Sequence, residues 1–453
     1  MCAEEFEIPR GVSTVADVLE RNGFEAWLVG GCVRDHLLGR QPKDYDITTS
    51  ASVERTIAAF EGFRVIETGV KHGTVTVISD DMPVEVTTFR VDGGYSDGRH
   101  PDSVTFTSDI REDLSRRDFT INAIAYSPVR GYTDLFGGGS DLEARIIRCV
   151  GDPEKRFRED ALRILRALRF ASVLGFEIEP GTSRAIHECR GLLSMIALER
   201  VTQELFGILC GDNAADVMRK YPDVIERILP PCGAMVGFEQ HNPRHAYDVW
   251  EHTLRVVQAC PKERGLRLAA LLHDIGKPGC FSLGEDGTGH FYGHAARGAE
   301  IAGEIFSDRL RTDKRTSERV ISLVAIHDEP LPPDRKIIRR RLSKYGEELL
   351  RQLIVFRKAD LIGQSPRVPE QTLKELDDAD RILDDLVGEN ACVTLRSLSI
   401  KGGDLMAMGI PNGRVIGDIL SHLLAEVCDE ELENTPDALG ARALELYKET
   451  QHQ

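Results

Sequence analysis

The chain has 453 residues, 41% of them hydrophobic and 29% charged, with a formal net charge of −17; this length carries a prior of roughly three domains, and the composition excludes a disordered or fibrous class. Ten cysteines are scattered singly with no C-x-x-C pair, which argues against a disulfide framework and a zinc ribbon. No run reaches the ~18 apolar residues of a membrane span, and the start "MCAEEFEIPRG" lacks a basic leader with an apolar run behind it, so a cytoplasmic location is expected.

Residues 1 to about 145 mix short β-rich runs ("AWLVGG", "DYDIT", "GTVTVIS", "PVEVTTF", "INAIAYS") with a few helical ones, punctuated by glycine turns. This predicts an α+β domain. From about 150 onward long helical periodicities take over, broken at Pro180, at 230–233, at 329–333 and at 364–370. No internal repeat and no low-complexity segment is evident. Two basic runs, 154–170 and 334–346, stand out against the acidic background. They permit contact with a polyanion, although a solvated helix face gives the same pattern.

In "AWLVGGCVRDHLLGR" an apolar strand runs into Gly30 and Gly31 and then a helix carrying Arg34. Such a turn lets backbone N–H groups approach an anion, with the helix start adding partial positive charge. It is neither a P-loop nor a G-x-G-x-x-G. "PKDYDITTS" follows. On a strand, Asp44 and Asp46 point the same way, about 7 Å apart along the backbone, and such a pair repels itself unless a cation lies between. A solvated edge strand is the plainer reading of a lone D-x-D. Glu85 in "MPVEVTTFR" adds a third acid from another strand, or is a simple edge-strand acid. Three carboxylates holding Mg²⁺ are what nucleotidyl transfer needs. In "LSRRDFTINAIAY", Arg116 and Arg117 can reach phosphates, while Asp118 and Asn122 can hydrogen-bond a ribose hydroxyl.

The run "RFREDALRILRALRF" reads as one helix whose buried stripe is Ala161, Leu165 and Leu168. Asp160 and Arg163 share another face. They form either a local i, i+3 ion pair or a reader of bases: Asp accepts from an exocyclic amine and Arg donates to a ring nitrogen, which suits cytosine and adenine. Uracil and guanine present both polarities reversed.

These motifs, with "GDPEKRFREDALRILRALRFASVLGF" and "LERVTQEL", closely resemble the class II tRNA nucleotidyltransferase and bacterial poly(A) polymerase family over roughly residues 20 to 215. The resemblance implies a polymerase-β-like nucleotidyltransferase head, a mixed sheet plus helices, followed by an all-α neck, body and tail. It implies that Asp44 and Asp46 bind metal, with Glu85 completing the catalytic set. Triphosphate and sugar are implied to lie against Gly30, Gly31, Arg34, Arg117, Asp118 and Asn122. Base selection falls to Glu159, Asp160 and Arg163 of the "ED-x-x-R" motif, with Arg166 of the same run grouped among the nucleotide-binding residues. The stretch 89–104 resembles the flexible loop needed for A addition, and a "GRRF"-like element typical of poly(A) polymerases is not evident. Full C, C and A addition to tRNA from CTP and ATP is therefore expected over A-only addition or poly(A) synthesis.

Farther along, His273 and Asp274 are adjacent before "IGK", and His245 and His252, seven apart, read as one helical face. Imidazole and carboxylate ligands drawn from several helices build metal sites in bundles. The segment 241–360 resembles the HD phosphohydrolase superfamily, which implies ligand roles for His252, His273, Asp274 and Asp360, with His294 and His327 matching versions that hold two metals. Mg²⁺, Mn²⁺ or a transition metal suits that set. A purely structural HD fold remains the alternative, as does, for the whole chain, an HD phosphohydrolase with an RNA-binding, non-transferring head. The glycine turn "PNGRVIG" opens a helix in a segment resembling the tRNA-gripping tail of HD-containing enzymes. The expected division is 1–145 head, 146–235 neck, 236–370 HD domain and 371–453 tRNA-binding tail.

Overall fold

A computed structural model describes residues 6–93, 103–242, 245–368, 370–389 and 393–451. The chain forms two compact units, Met1–Gly233 with Arg309–Arg311, and Ala234–Asp308 with Thr312–Gln453. Most of the loop expected to serve A addition lies outside the described residues.

The first unit opens with α1 (Arg10–Arg21), β1 (Ala26–Val29), α2 (Gly31–Leu37), β2 (Asp46–Thr49), α3 (Val53–Ala59) and β3 (Arg64–Ile66). There follow β4 (Thr74–Ser79), β5 (Met82–Thr88), the ribbon of β6 (Arg90–Asp92) and β7 (Val104–Phe106), α4 (Ile110–Ser115), β8 (Ile124–Ser127) and β9 (Gly131–Asp134). Seven strands form one mixed sheet in the order β3-β4-β5-β2-β1-β8-β9. Only the β2–β5 pair within it is parallel. In β4, "TVTVIS", Val75, Val77 and Ser79 are buried and the alternate residues are half-buried, the period-2 signature of a strand with one face in the core. Helix α1 buries Val12, Val15 and Leu19 and packs on β4. A Cβ at Gly11 would stand 2.5 Å from the Ser79 carbonyl oxygen, so the helix can come this close only through a glycine.

Helices α5 (Gly138–Ala144), α6 (Pro153–Glu159), α7 (Leu162–Leu174), α8 (Pro180–Cys189), α9 (Leu198–Leu209), α10 (Ala214–Lys220) and α11 (Pro222–Ile228) complete this unit. The sequence predicted one helix over the "RFREDALRILRALRF" run; the structure breaks it at Asp160, whose φ of −144° and ψ of 104° are extended. The Asp160 carboxylate accepts the Leu162 N–H at 3.0 Å. A short acid competes for free helical N–H groups, which favours a new start over continuation. The stripe of Ala161, Leu165 and Leu168 is buried as expected.

The second unit is helical: α12 (Val249–Ala259), α13 (Arg264–Leu272), α14 (His294–Asp308), α15 (Lys314–Ile326), α16 (Arg335–Gln364), α17 (Glu370–Gly388), α18 (Gly402–Ala407), α19 (Arg414–Cys428) and α20 (Pro436–Gln451). A two-residue ribbon, Ser282–Leu283 against Gly289–His290, lies between α13 and α14. Helix α16 is kinked at Gly346, which takes φ 76°. No described helix is long and apolar enough to cross a membrane. The eight described cysteines are free, and six of them are buried.

Candidate functional site

The register of the head sheet builds the first site. Asp46, the first residue of β2, pairs with Glu85 of β5 on one side and Val29 of β1 on the other. Asp44 precedes the strand rather than sitting in it, yet Tyr45 is buried while Asp44 and Asp46 are exposed, so both acids turn away from the core. The Asp46 carboxyl opens to solvent at the site's mouth but is crowded by protein. Desolvation, then the charge of Glu85, raises its pKa; Arg117 opposes the shift and Asp44 adds to it. Acids arranged to repel one another in this way suit a divalent cation.

Val29 leads into Gly30, whose φ of 76° is open to glycine. A Cβ there would stand 3.2 Å from an Arg117 guanidinium nitrogen, and one on Gly31 would stand 3.7 Å from Arg34. A side chain at Gly30 would press on the Arg117 guanidinium, whereas one at Gly31 would make only ordinary contact with Arg34. Arg34 donates to Asp35 at 2.8 Å and to the Asn122 carbonyl oxygen at 2.8 Å. Asn122 in turn donates to Asp118 at 3.1 Å, and Arg166 grips Asp118 at 2.9 and 2.7 Å. Burial pushes Asp118 up, but the Arg166 charge and the hydrogen bonds from Asn122 and Arg166 prevail and hold it down at about 2. Gly30, Gly31, Arg34, Arg117, Asp118, Asn122 and Arg166 thus form one connected surface beside the acids.

Two members of this surface were not foreseen. Asp113, 0% exposed, binds Arg116 at 2.7 Å and Arg117 at 3.3 Å; burial raises its pKa, yet the two arginine charges prevail and lower it. Its i+3 and i+4 spacing to the arginine pair was the available signal. Phe170 lies under Arg34, Arg166 and Arg169, with guanidinium carbons 5.1, 5.3 and 4.7 Å from its centroid. Arg166, four residues before Phe170 in the same basic run, was the available signal; Arg34, from α2, had none.

In "ED-x-x-R" the partners differ from the local pair considered from sequence. Arg163 bonds Glu159 at 2.8 Å and the Arg116 carbonyl at 2.9 Å. Asp160 is held by Arg200 of α9 at 2.8 Å. The break at Asp160 separates the two side chains, and each is oriented by a different neighbour.

The basic runs are largely committed to internal pairs. In the first, Arg156 meets Glu159, Arg158 meets Glu154, and Arg169 meets Glu204. In the second, Arg335 and Arg339 meet Glu430, Arg340 meets Asp429, and Arg341 and Lys344 meet Glu329.

The second unit gathers its expected ligands from α12 to α16 around Asp274. His252 and His273 face each other through Nε2 at 3.2 Å, and their nitrogens lie 3.4 and 3.1 Å from Asp274 Oδ2. His294 and His327 also face through Nε2 at 3.2 Å, 3.6 and 3.7 Å from Asp274 Oδ1. Asp360 joins the first pair, 3.2 Å from His252. His245 precedes α12 instead of sharing its face, though its ring still sits 5.7 Å from that of His252.

The ring nitrogens on the far side decide what this cluster can hold. His273, His294 and His327 each place Nδ1 2.8 Å from a backbone carbonyl, of Ala270, Phe291 and Val324. In the neutral rings Nδ1 carries the proton, so Nε2 offers a lone pair. In the His294–His327 pair two lone pairs would then face each other at 3.2 Å, an arrangement that a cation between them and Asp274 relieves. Both His252–His273–Asp274 and Asp274–His294–His327 fit a metal ion. Lys277 donates to Gln240 at 2.8 Å and pairs with Asp274 at 2.7 Å. Burial raises the Asp274 pKa, but His273 and Lys277 prevail and hold the carboxyl well below the usual carboxylate range.

Comparison with known proteins matches families to both regions of the chain. Residues 26–148 match the Poly A polymerase head domain, 249–363 the HD domain, and 175–221 the probable RNA and SrmB-binding site of polymerase A. A CCA-adding enzyme of Leuconostoc citreum is 33% identical over 444 residues, 95% of this chain and 95% of its own. One of Geobacillus stearothermophilus is 51% identical over 197 residues, 44% of this chain and 48% of its own. The crystal structure of the Bacillus stearothermophilus CCA-adding enzyme in complex with CTP matches with a TM-score of 0.70 at 30% identity, covering 98% of each chain.

Proposed function

The chain belongs to the CCA-adding enzymes, and on that premise we propose how its residues divide the work of adding C, C and A to tRNA 3′ ends from CTP and ATP without a nucleic-acid template. Nucleotidyltransferases of this type use a divalent metal. Asp44, Asp46 and Glu85 would hold it, with Mg²⁺ the ion the oxygen ligands suit. Bound there, divalent ions acidify an attacking hydroxyl and neutralise a departing pyrophosphate. The observation that carries this reading is the Asp46–Glu85 register beside the glycine turn.

The chain's own groups do the rest. The Gly30–Gly31 turn, Arg34 and Arg117 receive the triphosphate, Asp118 and Asn122 orient the ribose, and Arg166 fixes Asp118. Asp160 and Arg163 select the base, each held by its partner, Arg200 or Glu159. A-only addition and a non-transferring head are not favoured, because the relatives are CCA-adding enzymes. The functional division we propose is head 1–145, neck 146–235, HD domain 236–370 and tRNA-binding tail 371–453, acting in the cytoplasm. Purified protein offered tRNAs ending at the discriminator base, after one C and after two, should complete each with CTP plus ATP. Asp44→Ala and Asp46→Ala should abolish incorporation; retained activity sinks the assignment.

We also propose that the Asp274-centred cluster is a metal-dependent phosphohydrolase site, on the observation that four histidine Nε2 atoms converge on one carboxylate in two opposed pairs.

A further inference from the structure

A cavity of about 680 Å³ in the first unit is lined by Glu112 and Ser115 of α4, by Arg116 just after it, and by Arg156 and Glu159 of α6. Arg156 ties this wall together. Its Nη2 donates to Glu159 Oε1 at 2.7 Å and its Nη1 to the Ser115 carbonyl at 3.2 Å. The two side chains of the ion pair are only 13% and 14% exposed, so solvent screens the pair far less than one on the open surface.

Glu159 divides its carboxylate between two arginines. While Oε1 takes Arg156, Oε2 takes Nη1 of Arg163 at 2.8 Å, so one acid holds guanidiniums from both sides of the break at Asp160. The end of α4 repeats the arrangement. Carbonyls at a helix end lack intrahelical donors; here that of Ser115 accepts from Arg156, and that of Arg116 from Arg163 Nη2 at 2.9 Å. Arg163 Nη1 also reaches the Arg156 carbonyl at 3.2 Å. Three of the five guanidinium N–H groups of Arg163 are thereby committed, which leaves two for a base.

Given the base-selecting role proposed above for Arg163, on which this rests, we infer that Arg156 is a positioning residue for base selection. Its own donors go to Glu159 and to the end of α4, and by gripping both it confines Arg163 to the direction in which the remaining donors meet the ring nitrogen of cytosine or adenine. Without Arg156, Glu159 loses the cation on Oε1 and can turn with Arg163. A guanidinium free to turn can donate to the carbonyl oxygens of uracil as well as to N3 of cytosine. The fault then falls on discrimination rather than on the chemistry of transfer.

The test gives full-length protein Mg²⁺, a tRNA ending at the discriminator base, and CTP or UTP alone, and reads the ratio of kcat/KM for the two nucleotides. Arg156→Ala should lower the CTP:UTP ratio by about tenfold to a hundredfold, the worth of one hydrogen bond to a charged group. Arg156→Lys, which keeps a charge on Glu159 but not the fork to Ser115, should lie between. Methylguanidinium, small enough for the adjoining cavity, should restore the ratio in Arg156→Ala and leave wild type unchanged. Equal losses with CTP and UTP overturn the positioning role, and so does a lowered ratio that methylguanidinium fails to raise. Arg163→Ala separates the two readings. If it leaves the ratio unchanged, Arg163 does not select the base and the role of Arg156 falls with it; if it lowers the ratio while Arg156→Ala does not, only the role of Arg156 is overturned. Should Arg156→Ala fail to fold, Arg156→Lys decides: a lowered ratio supports the role, and an unchanged one overturns it.

Discussion

Asp46 and Glu85 stand opposite each other across the parallel β2–β5 pair of the head sheet. Two acids in register repel, and desolvation together with the Glu85 charge raises the Asp46 pKa. The sign follows directly. A carboxyl whose pKa is raised by folding is disfavoured in its charged form, so at neutral pH the ionised Asp46 costs stability. Asp46→Asn should therefore lose nucleotide incorporation by on the order of a thousandfold or more, the scale of lost metal-assisted charge stabilisation. Its thermal midpoint without metal should equal or exceed that of wild type. Calorimetry in EDTA checks this, and a lowered midpoint would show that the acid serves the fold.

Asp118 has the opposite sign. Its pKa is lowered from 3.8 to about 2 by Arg166 and Asn122 against the effect of burial. A lowered carboxyl contributes stability that is fully present above the unfolded pKa and is lost as pH falls through the folded one. The contribution is roughly 2 kcal/mol near neutrality, with about half left at pH 3. The stability gap between wild type and Asp118→Asn, read from urea melts, should narrow from pH 6 to pH 3. A constant gap would mean the group contributes through packing alone.

Arg339, Arg340 and Arg341 test the basic run that sequence offered as an RNA surface. All three are paired with acids of this chain, so they have few free counterions to exchange for phosphates. Replacing all three by alanine should reduce the slope of log K for tRNA against log salt by less than one, where three phosphate contacts would remove about 2.7. A drop near the larger figure would show that tRNA displaces the internal acids.

What could be read from the chain, and what could not, divides along physical lines. The β-rich runs placed Asp46 and Glu85 on strands, because local period is written in neighbouring residues, but Asp44, read onto the same strand as Asp46, precedes it; that the acids, glycines and arginines lie near one another followed only from the family resemblance. The break at Asp160 was missed because helical periodicity runs straight through it; only the competition of its carboxylate for the Leu162 N–H starts a new helix. Partners drawn from distant segments were also invisible. Arg200 lies forty residues from Asp160 in sequence, and Arg34 reaches Phe170 from α2, although Arg166 and Arg169 share α7 with that ring. His252, His273, His294 and His327 were named as candidate ligands, and the structure brings them together around Asp274, but their arrangement as two opposed pairs on one aspartate was not foreseen.

That arrangement sets the last expectation. Asp274 presents Oδ2 to His252 and His273 and Oδ1 to His294 and His327, so one carboxylate serves two groups of ligands that each fit an ion. Removing His327 disturbs one group and leaves the other intact, whereas neutralising Asp274 weakens both. Protein equilibrated with Mn²⁺ and desalted should retain more metal as wild type than as His327→Ala, and more as His327→Ala than as Asp274→Asn. Elemental analysis reads this order without any assay of catalysis. Because these ligands lie outside the head, all three proteins should complete tRNA ends at similar rates. If His327→Ala were as depleted as Asp274→Asn, the pairs would act as a single site, and the bridging role of Asp274 would have to be given up.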